Sequence, residues 1–187
     1  FPELYGEGYL AIQQILDGNH LAMLQNSIFA EYSQTGIMVV LFALCTVFAK
    51  TFAALITLNG GGNGGVFGPS LVVGGLLGFA FSYGLNLTGM VDLNVANFTV
   101  AGMAGALAGM MHAPLTAIFL IDEITGGYAL MVPLMLVTAI AYLINRVVLK
   151  HSIYTKGLAE QGDLISHEDK DRTVLSMMKL RYVLENN

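Results

Sequence analysis

The sequence predicts an all-α membrane protein, and three features of its composition carry that prediction. Of its 187 residues, 55% are hydrophobic, and the mean hydropathy is +0.67. Only 11% are charged, whereas soluble domains contain about 25%. The interval from Thr51 to Asn145 contains no Lys or Arg, and 13 of the charged residues follow it. Most of the chain is therefore expected to lie in a membrane, and its C-terminal part is expected to be exposed to water.

The first two elements predicted are short helices that do not span a bilayer. Within Phe1–Gly18, apolar side chains recur at helical spacing, and Gly18 supplies a stop signal. The segment from His20 to Tyr32 has a similar pattern. Both segments are too polar to cross a membrane, so we expect half-buried or interfacial helices.

The first full span is predicted at Gly36–Leu58, because about 20 apolar residues cross the hydrocarbon core. Lys50 interrupts this run. A cation in a span is costly unless it snorkels, pairs or faces water. Lys50 therefore either snorkels near the end of the span or faces an aqueous vestibule. Cys45, a lone thiol in the same run, is expected to be a small buried hydrophobe.

The remaining apolar runs are mostly short or interrupted. Phe98–Met111 is too short to span alone, and Pro114 suits the first turn of the next, shorter helix. Broken helices at membrane depth are tolerated only where the freed backbone is buried in protein or lines a cavity, and transporters use them to aim helix ends at ions. The later elements predicted are Val66–Leu87, Phe98–Met111, Pro114–Ile121, a full span at Tyr128–Leu149, and a short helix at Ser152–Leu164.

The segment GGGNGGVFGPS, residues 60–70, contains six glycines in eleven residues. Gly60, Gly62 and Gly65 match the nucleotide-binding pattern G-x-G-x-x-G, but a long apolar helix precedes them in place of a strand. The acid expected about 20 residues further on is also missing. Two interpretations remain: the segment is a flexible turn between two membrane helices, or it forms a site for an anion.

The anion interpretation follows from the helix that begins after the glycines. Pro69 fits an early helical position, and the backbone N–H groups just before it have no partner within the helix. These donors and the positive end of the helix dipole favour a negative ion. No Lys or Arg is expected nearby, which suits a conducting site, because a full charge would hold the anion too tightly whereas partial charges bind it and release it.

Three segments in order resemble the CLC family of chloride channels and proton-coupled chloride antiporters. GGVFGPSL is similar to the G-x-F-x-P selectivity filter of that family. GMMHAPLTAIFLIDEITGGYALMVPLM, residues 109–135, resembles its A-P-L-T…E-x-T…P segment, and HSIYTKGLAEQG, residues 151–162, its final membrane helix. The resemblance implies the second half of an inverted-repeat fold with tilted, partial and broken helices. It also implies a homodimer with one pore per subunit, and a first half in the same parent chain.

The resemblance also implies the site and its ligand. The amides of Val66 and Phe67 would coordinate a central chloride, Gly68 would lie toward an outer ion, and the hydroxyl of Tyr154 would donate to the central ion. Gly65–Pro69 would be the filter motif. Glu123 would be a structural acid near a helix end. We expect no catalytic residue, metal or cofactor, with chloride as the transported ligand.

Two alternatives from other classes remain open. One is a membrane scaffold that transports nothing, and the other is an intramembrane hydrolase that uses Ser70 and His112. By itself, His112 is expected to be a packed or capping residue. Channel and exchanger are not distinguished, because the gating and proton-pathway acids of the CLC family lie in its first half.

The organisation along the chain is predicted as two parts. Residues 1–165 are the second half of the membrane domain, and residues 166–187 resemble the connection to cytoplasmic CBS domains. Arg146, Lys150 and Lys156 flank the last apolar run, so the positive-inside rule places the tail in the cytoplasm of a multi-pass protein of the cell membrane. By analogy, Leu115–Ile121 and Ala129–Ile144 lie at the subunit interface. The chain has no basic stripe for nucleic acid.

Overall fold

The computed structural model describes residue 6, residues 8–19, residue 21, and residues 35–62, 65–149 and 151–161. The regular secondary structure of these residues consists of helices joined by turns and loops, as the sequence predicts. The helices are α1 Tyr9–Leu16, α2 Gly36–Asn59, α3 Phe67–Leu87, α4 Val95–Met111, α5 Pro114–Thr125, a 3-10 turn Tyr128–Leu130, α6 Met131–Val148 and α7 Ile153–Gln161.

The chain divides into two compact units, residues 1–150 and 151–187. The first unit contains α1 to α6, and the second contains α7. The boundary at residue 165 between a membrane half and a tail stays a prediction. The helix expected at residues 20–32, apart from residue 21, and the tail at residues 166–187 lie outside the described residues.

Three apolar segments are long enough to cross a bilayer. They are α2, α3 and a segment within Tyr128–Gly157 that includes α6. The apolar helix α4 has 17 residues and falls short of that length. The described part of the chain therefore contains both full-length and short helices, as the sequence predicts.

Two helix boundaries differ from those expected, each for a local reason. The helix α4 begins at Val95 rather than Phe98, because the Asn94 side chain caps it by accepting from the amide of Asn97 at 3.1 Å. The helix α5 continues past Ile121 to Thr125. It ends there because Gly126 adopts a left-handed conformation, with φ of 70°, and its amide donates to the carbonyl of Glu123.

The core of the first unit is centred on the contact between α3 and α4. A Cβ atom at Gly74 would collide with the carbonyl oxygen of Gly102, and one at Gly102 would collide with that of Gly74. The two backbones therefore touch at mutual glycines, as helices in membranes commonly do. Large apolar side chains surround this contact and are fully buried: Leu71, Leu76, Phe79, Leu107, Ile121 and Leu134.

The prediction that Cys45 is buried was wrong. Cys45 is exposed on α2, whereas its neighbours Phe42, Thr46 and Val47 are buried. The helix turns about 100° per residue, so one face of α2 packs inward and Cys45 lies on the other. An apolar run predicts a membrane helix, but it does not tell which face the helix buries.

Candidate functional site

The glycine segment performs two different tasks along its length. Its first residues close the end of α2: the amide of Gly60 donates to Ile56 O at 2.8 Å, and that of Gly62 donates to Thr57 O at 2.9 Å. Gly61, with φ of +81°, adopts the left-handed conformation that glycine tolerates best. The amides on this side of the turn are therefore occupied by carbonyls of α2.

The other end of the segment opens α3. Val66 is the N-cap residue, with φ of −80° and ψ of −9°. The amide of Ser70 donates to its carbonyl at 3.1 Å, which begins the helical pattern. Within the described residues, no carbonyl or side chain accepts a hydrogen bond from the amides of Val66, Phe67 or Gly68. Three backbone donors are thus available where the helix starts.

These donors lie in a partly enclosed environment. Val66 and Phe67 are half-buried and Gly68 is buried. No acidic residue lies in the first turn of α3, so no carboxylate of that turn neutralises the positive end of the helix. The helix dipole there is equivalent to about half an elementary charge. Free backbone donors at the positive end of a helix favour a negative ion in general.

Tyr154 is the second residue of α7, in the other unit. The helix is capped by Ser152, whose side-chain oxygen accepts from the amide of Thr155 at 3.3 Å. The Tyr154 side chain is 53% exposed, so a ligand can reach it. That it shares an ion with the amides of Val66 and Phe67 stays a prediction.

Lys50 is not a snorkelling side chain near the end of the span, and its orientation toward an aqueous vestibule stays a prediction. It is only 3% exposed, and its Nζ donates to the backbone carbonyl of Gly6 at 2.7 Å. It also lines a cavity of about 190 Å³ together with Gly65 and Pro69 of the filter motif. The expectation that no Lys or Arg lies near the filter motif was therefore wrong. The one available signal was a lone lysine in an apolar helix that leads into the glycine segment.

The residues of the hydrolase alternative are engaged separately. The hydroxyl of Ser70 donates to the carbonyl of Phe67 at 2.7 Å. His112 terminates α4 in a left-handed conformation, with φ of 56°, and its ring lies edge-on to that of Tyr142. Its Nε2 is buried with no hydrogen-bond partner in the described part of the chain. The expectation that His112 packs and caps is therefore confirmed, and it does not activate Ser70 here.

The acidic pair on α5 separates into two environments. Glu123 is exposed near the end of the helix. Asp122 is 2% exposed, and neither of its carboxylate oxygens has a hydrogen-bond partner in the region that the structure describes. An ionised carboxylate buried without partners is costly. Although Asp122 and Glu123 are neighbours in sequence, the side chain of Asp122 is therefore buried in the protein and that of Glu123 is exposed.

The fold, with three segments long and apolar enough to cross a bilayer, is that of an integral membrane protein. The sequence model described as voltage gated chloride channel matches residues 1–146. The chain therefore belongs to the CLC family of voltage-gated chloride channels, which confirms the resemblance noted in its motifs.

Individual relatives give the same result. The chain is 31% identical to the voltage-gated ClC-type chloride channel ClcB of Escherichia coli over 86% of its own length and 34% of that protein. It is 30% identical to the H(+)/Cl(-) exchange transporter ClcA of Vibrio cholerae over 83% of its own length and 30% of that protein. The chain thus spans about a third of the length of the curated relatives that it matches.

Proposed function

We propose that this chain is the second half of a membrane protein that transports chloride across the cell membrane. The observation that carries the proposal is the start of α3, where the amides of Val66, Phe67 and Gly68 have no acceptor among the described residues. Family membership supports chloride as the ion. The names of the relatives include both a channel and a proton-coupled exchanger, so either mode of transport is compatible with the family.

In the proposed site, the amides of Val66 and Phe67 coordinate a central chloride and Gly68 lies toward an outer ion. The hydroxyl of Tyr154 completes the central site as a neutral directional donor. No cofactor or metal takes part in this scheme, and the protein acts as a transporter rather than an enzyme. The remaining parts of the proposal are the first half of the same parent chain, a homodimer in the bilayer, and a cytoplasmic tail at residues 166–187 that leads toward CBS domains.

The test uses the parent chain reconstituted in liposomes. We expect chloride flux, measured with a chloride electrode, with and without an imposed proton gradient. Uphill chloride movement driven by protons would identify an antiporter, and purely downhill flux a channel. Folded parent protein without any chloride flux would refute the proposal and would favour the scaffold alternative.

Tyr154→Phe tests the proposed hydroxyl ligand. It removes one hydrogen bond and retains the ring, so we expect chloride to bind about two- to tenfold more weakly, corresponding to roughly 0.5–1.5 kcal/mol. Isothermal titration of the parent protein with chloride measures the change. Tyr128→Phe, on an exposed tyrosine of the 3-10 turn, is the matched control and should bind as the unsubstituted protein does. Equal affinities for Tyr154→Phe and the control would remove Tyr154 from the site.

A further inference from the structure

A serine in the first turns of α3 is bonded to the backbone of the filter motif. The hydroxyl of Ser70 donates to the carbonyl oxygen of Phe67 at 2.7 Å. A serine hydroxyl carries one hydrogen, and this bond uses it. Ser70 is therefore engaged with the protein and does not itself donate to an anion in this arrangement.

The carbonyl that Ser70 contacts belongs to the same peptide group as the amide of Gly68. The peptide is trans, and the atoms of a trans peptide lie close to one plane, with the C=O and N–H bonds on opposite sides. A hydrogen bond that fixes the direction of the Phe67 carbonyl therefore also fixes the direction of the Gly68 N–H bond.

The amide of Gly68 has no acceptor of its own. Gly68 is buried, and no hydrogen bond from its amide occurs in the part of the chain that the structure describes. Buried backbone N–H groups without a partner are rare in native proteins, so a partner from outside these residues is expected. The proposed outer ion is such a partner.

The bond from Ser70 also changes the strength of this donor. Hydrogen bonds in a chain polarise one another, which strengthens each by about 10–30% in a protein interior. Here the chain runs from the Ser70 hydroxyl through the Phe67–Gly68 peptide to the ion. The free amide at its end is therefore a stronger donor than the same amide would be if the hydroxyl were absent.

We propose that Ser70 is a positioning residue for the anion site: through the Phe67–Gly68 peptide, its hydroxyl aims and polarises the Gly68 amide toward the bound chloride. The inference rests on the proposed chloride site. It adds to that site a side chain that does not touch the ion and acts on one of the backbone donors.

The test compares Ser70→Ala with Ser70→Thr in the parent protein. Alanine removes the hydroxyl, whereas threonine retains it, and a threonine hydroxyl in a helix can bond a carbonyl three or four residues earlier. We expect Ser70→Ala to weaken chloride binding about two- to fourfold, because the Gly68 amide loses polarisation and a fixed direction. Ser70→Thr should bind as the unsubstituted protein does. Isothermal titration with sodium chloride measures both.

Ser82→Ala is the matched control on the same helix. The hydroxyl of Ser82 also donates to backbone carbonyls, those of Gly78 at 3.0 Å and Phe79 at 3.2 Å, but it lies about three turns further along α3. The same chemical change there should leave chloride affinity unchanged.

The possible results separate this inference from the site on which it rests. Equal affinities for Ser70→Ala and the unsubstituted protein would overturn the inference and leave the chloride site standing. Equal losses in Ser70→Ala and Ser70→Thr, or the same loss in Ser82→Ala, would show that the hydroxyl at residue 70 is not the cause and would also overturn it. No chloride binding by the unsubstituted parent would instead refute the proposed function itself.

Discussion

At the scale of single residues, Val66 shows how a backbone group can be tested by a side-chain substitution. Its φ of −80° is compatible with proline, whose ring fixes φ near −65°. Gly65 precedes it, and glycine tolerates the restriction that proline imposes on its predecessor. Val66→Pro therefore deletes one proposed donor without demanding a new backbone conformation at Val66.

We expect Val66→Pro to weaken chloride binding by at least about tenfold, because a hydrogen bond to a charged group contributes roughly 1.5–3 kcal/mol. Val66→Ala retains the amide and should bind chloride as the unsubstituted protein does. Titration of the parent protein with chloride compares the two variants. If Val66→Pro folds and binds as tightly as Val66→Ala, the Val66 amide is not a ligand.

At the scale of elements, the contact between α3 and α4 decides how closely the two helices approach. Both helices are rich in glycine, yet their glycines are not equivalent. A Cβ atom at Gly78 would collide with the carbonyl of Phe98, whereas one at Gly84 would meet Val40 side-chain atoms at 3.8 Å, an ordinary contact. The same substitution at these two positions therefore separates packing from helix propensity.

We expect Gly78→Ala to destabilise the protein by about 1–3 kcal/mol, because the added methyl group forces two backbones apart. Gly84→Ala should be neutral or stabilising by up to about 1 kcal/mol, since alanine favours the helix. Thermal unfolding of the parent protein in detergent measures both. Similar melting temperatures for the two variants would show that close backbone contact at Gly78 does not support the fold.

At the scale of the whole molecule, the long apolar face of α6 has no cover within the described residues. Side chains at helical spacing along it are well exposed: Val132, Leu136, Ile140, Leu143 and Val147. The predicted subunit interface includes Ala129–Ile144, so part of this face is expected to meet a second copy of the parent protein. Lipid is the other candidate for the same surface.

We expect the parent protein in detergent to have twice the mass of one chain by light scattering. The double substitution Leu136→Ala and Leu143→Ala should shift it toward the monomer, because it removes apolar contact area from the predicted interface. Phe48→Ala with Phe52→Ala, at similarly exposed positions of α2, is the control and should leave the mass unchanged. A single-chain mass for the unsubstituted protein would exclude the dimer under these conditions.

The sequence by itself determined the helical membrane class, the order of the helices and the place where α3 begins. These properties depend on local features: the length of apolar runs, the charge distribution, and the glycines and proline at residues 60–69. It also led to the family, because three motifs occur in the right order. Boundaries were less secure, since the Asn94 cap moved the start of α4 by one turn of helix.

Only the tertiary structure decided which face each helix buries, and this fixed the surroundings of three residues. Cys45 lies outside, Lys50 lies inside beside the filter motif, and Asp122 is buried where Glu123 is exposed. The physical reason is that a helix whose own side chains are apolar on every side has almost no amphipathic pattern. Contacts with residues distant in sequence therefore decide which of its faces is buried. For Lys50, such a contact is with the carbonyl of Gly6, 44 positions away along the chain.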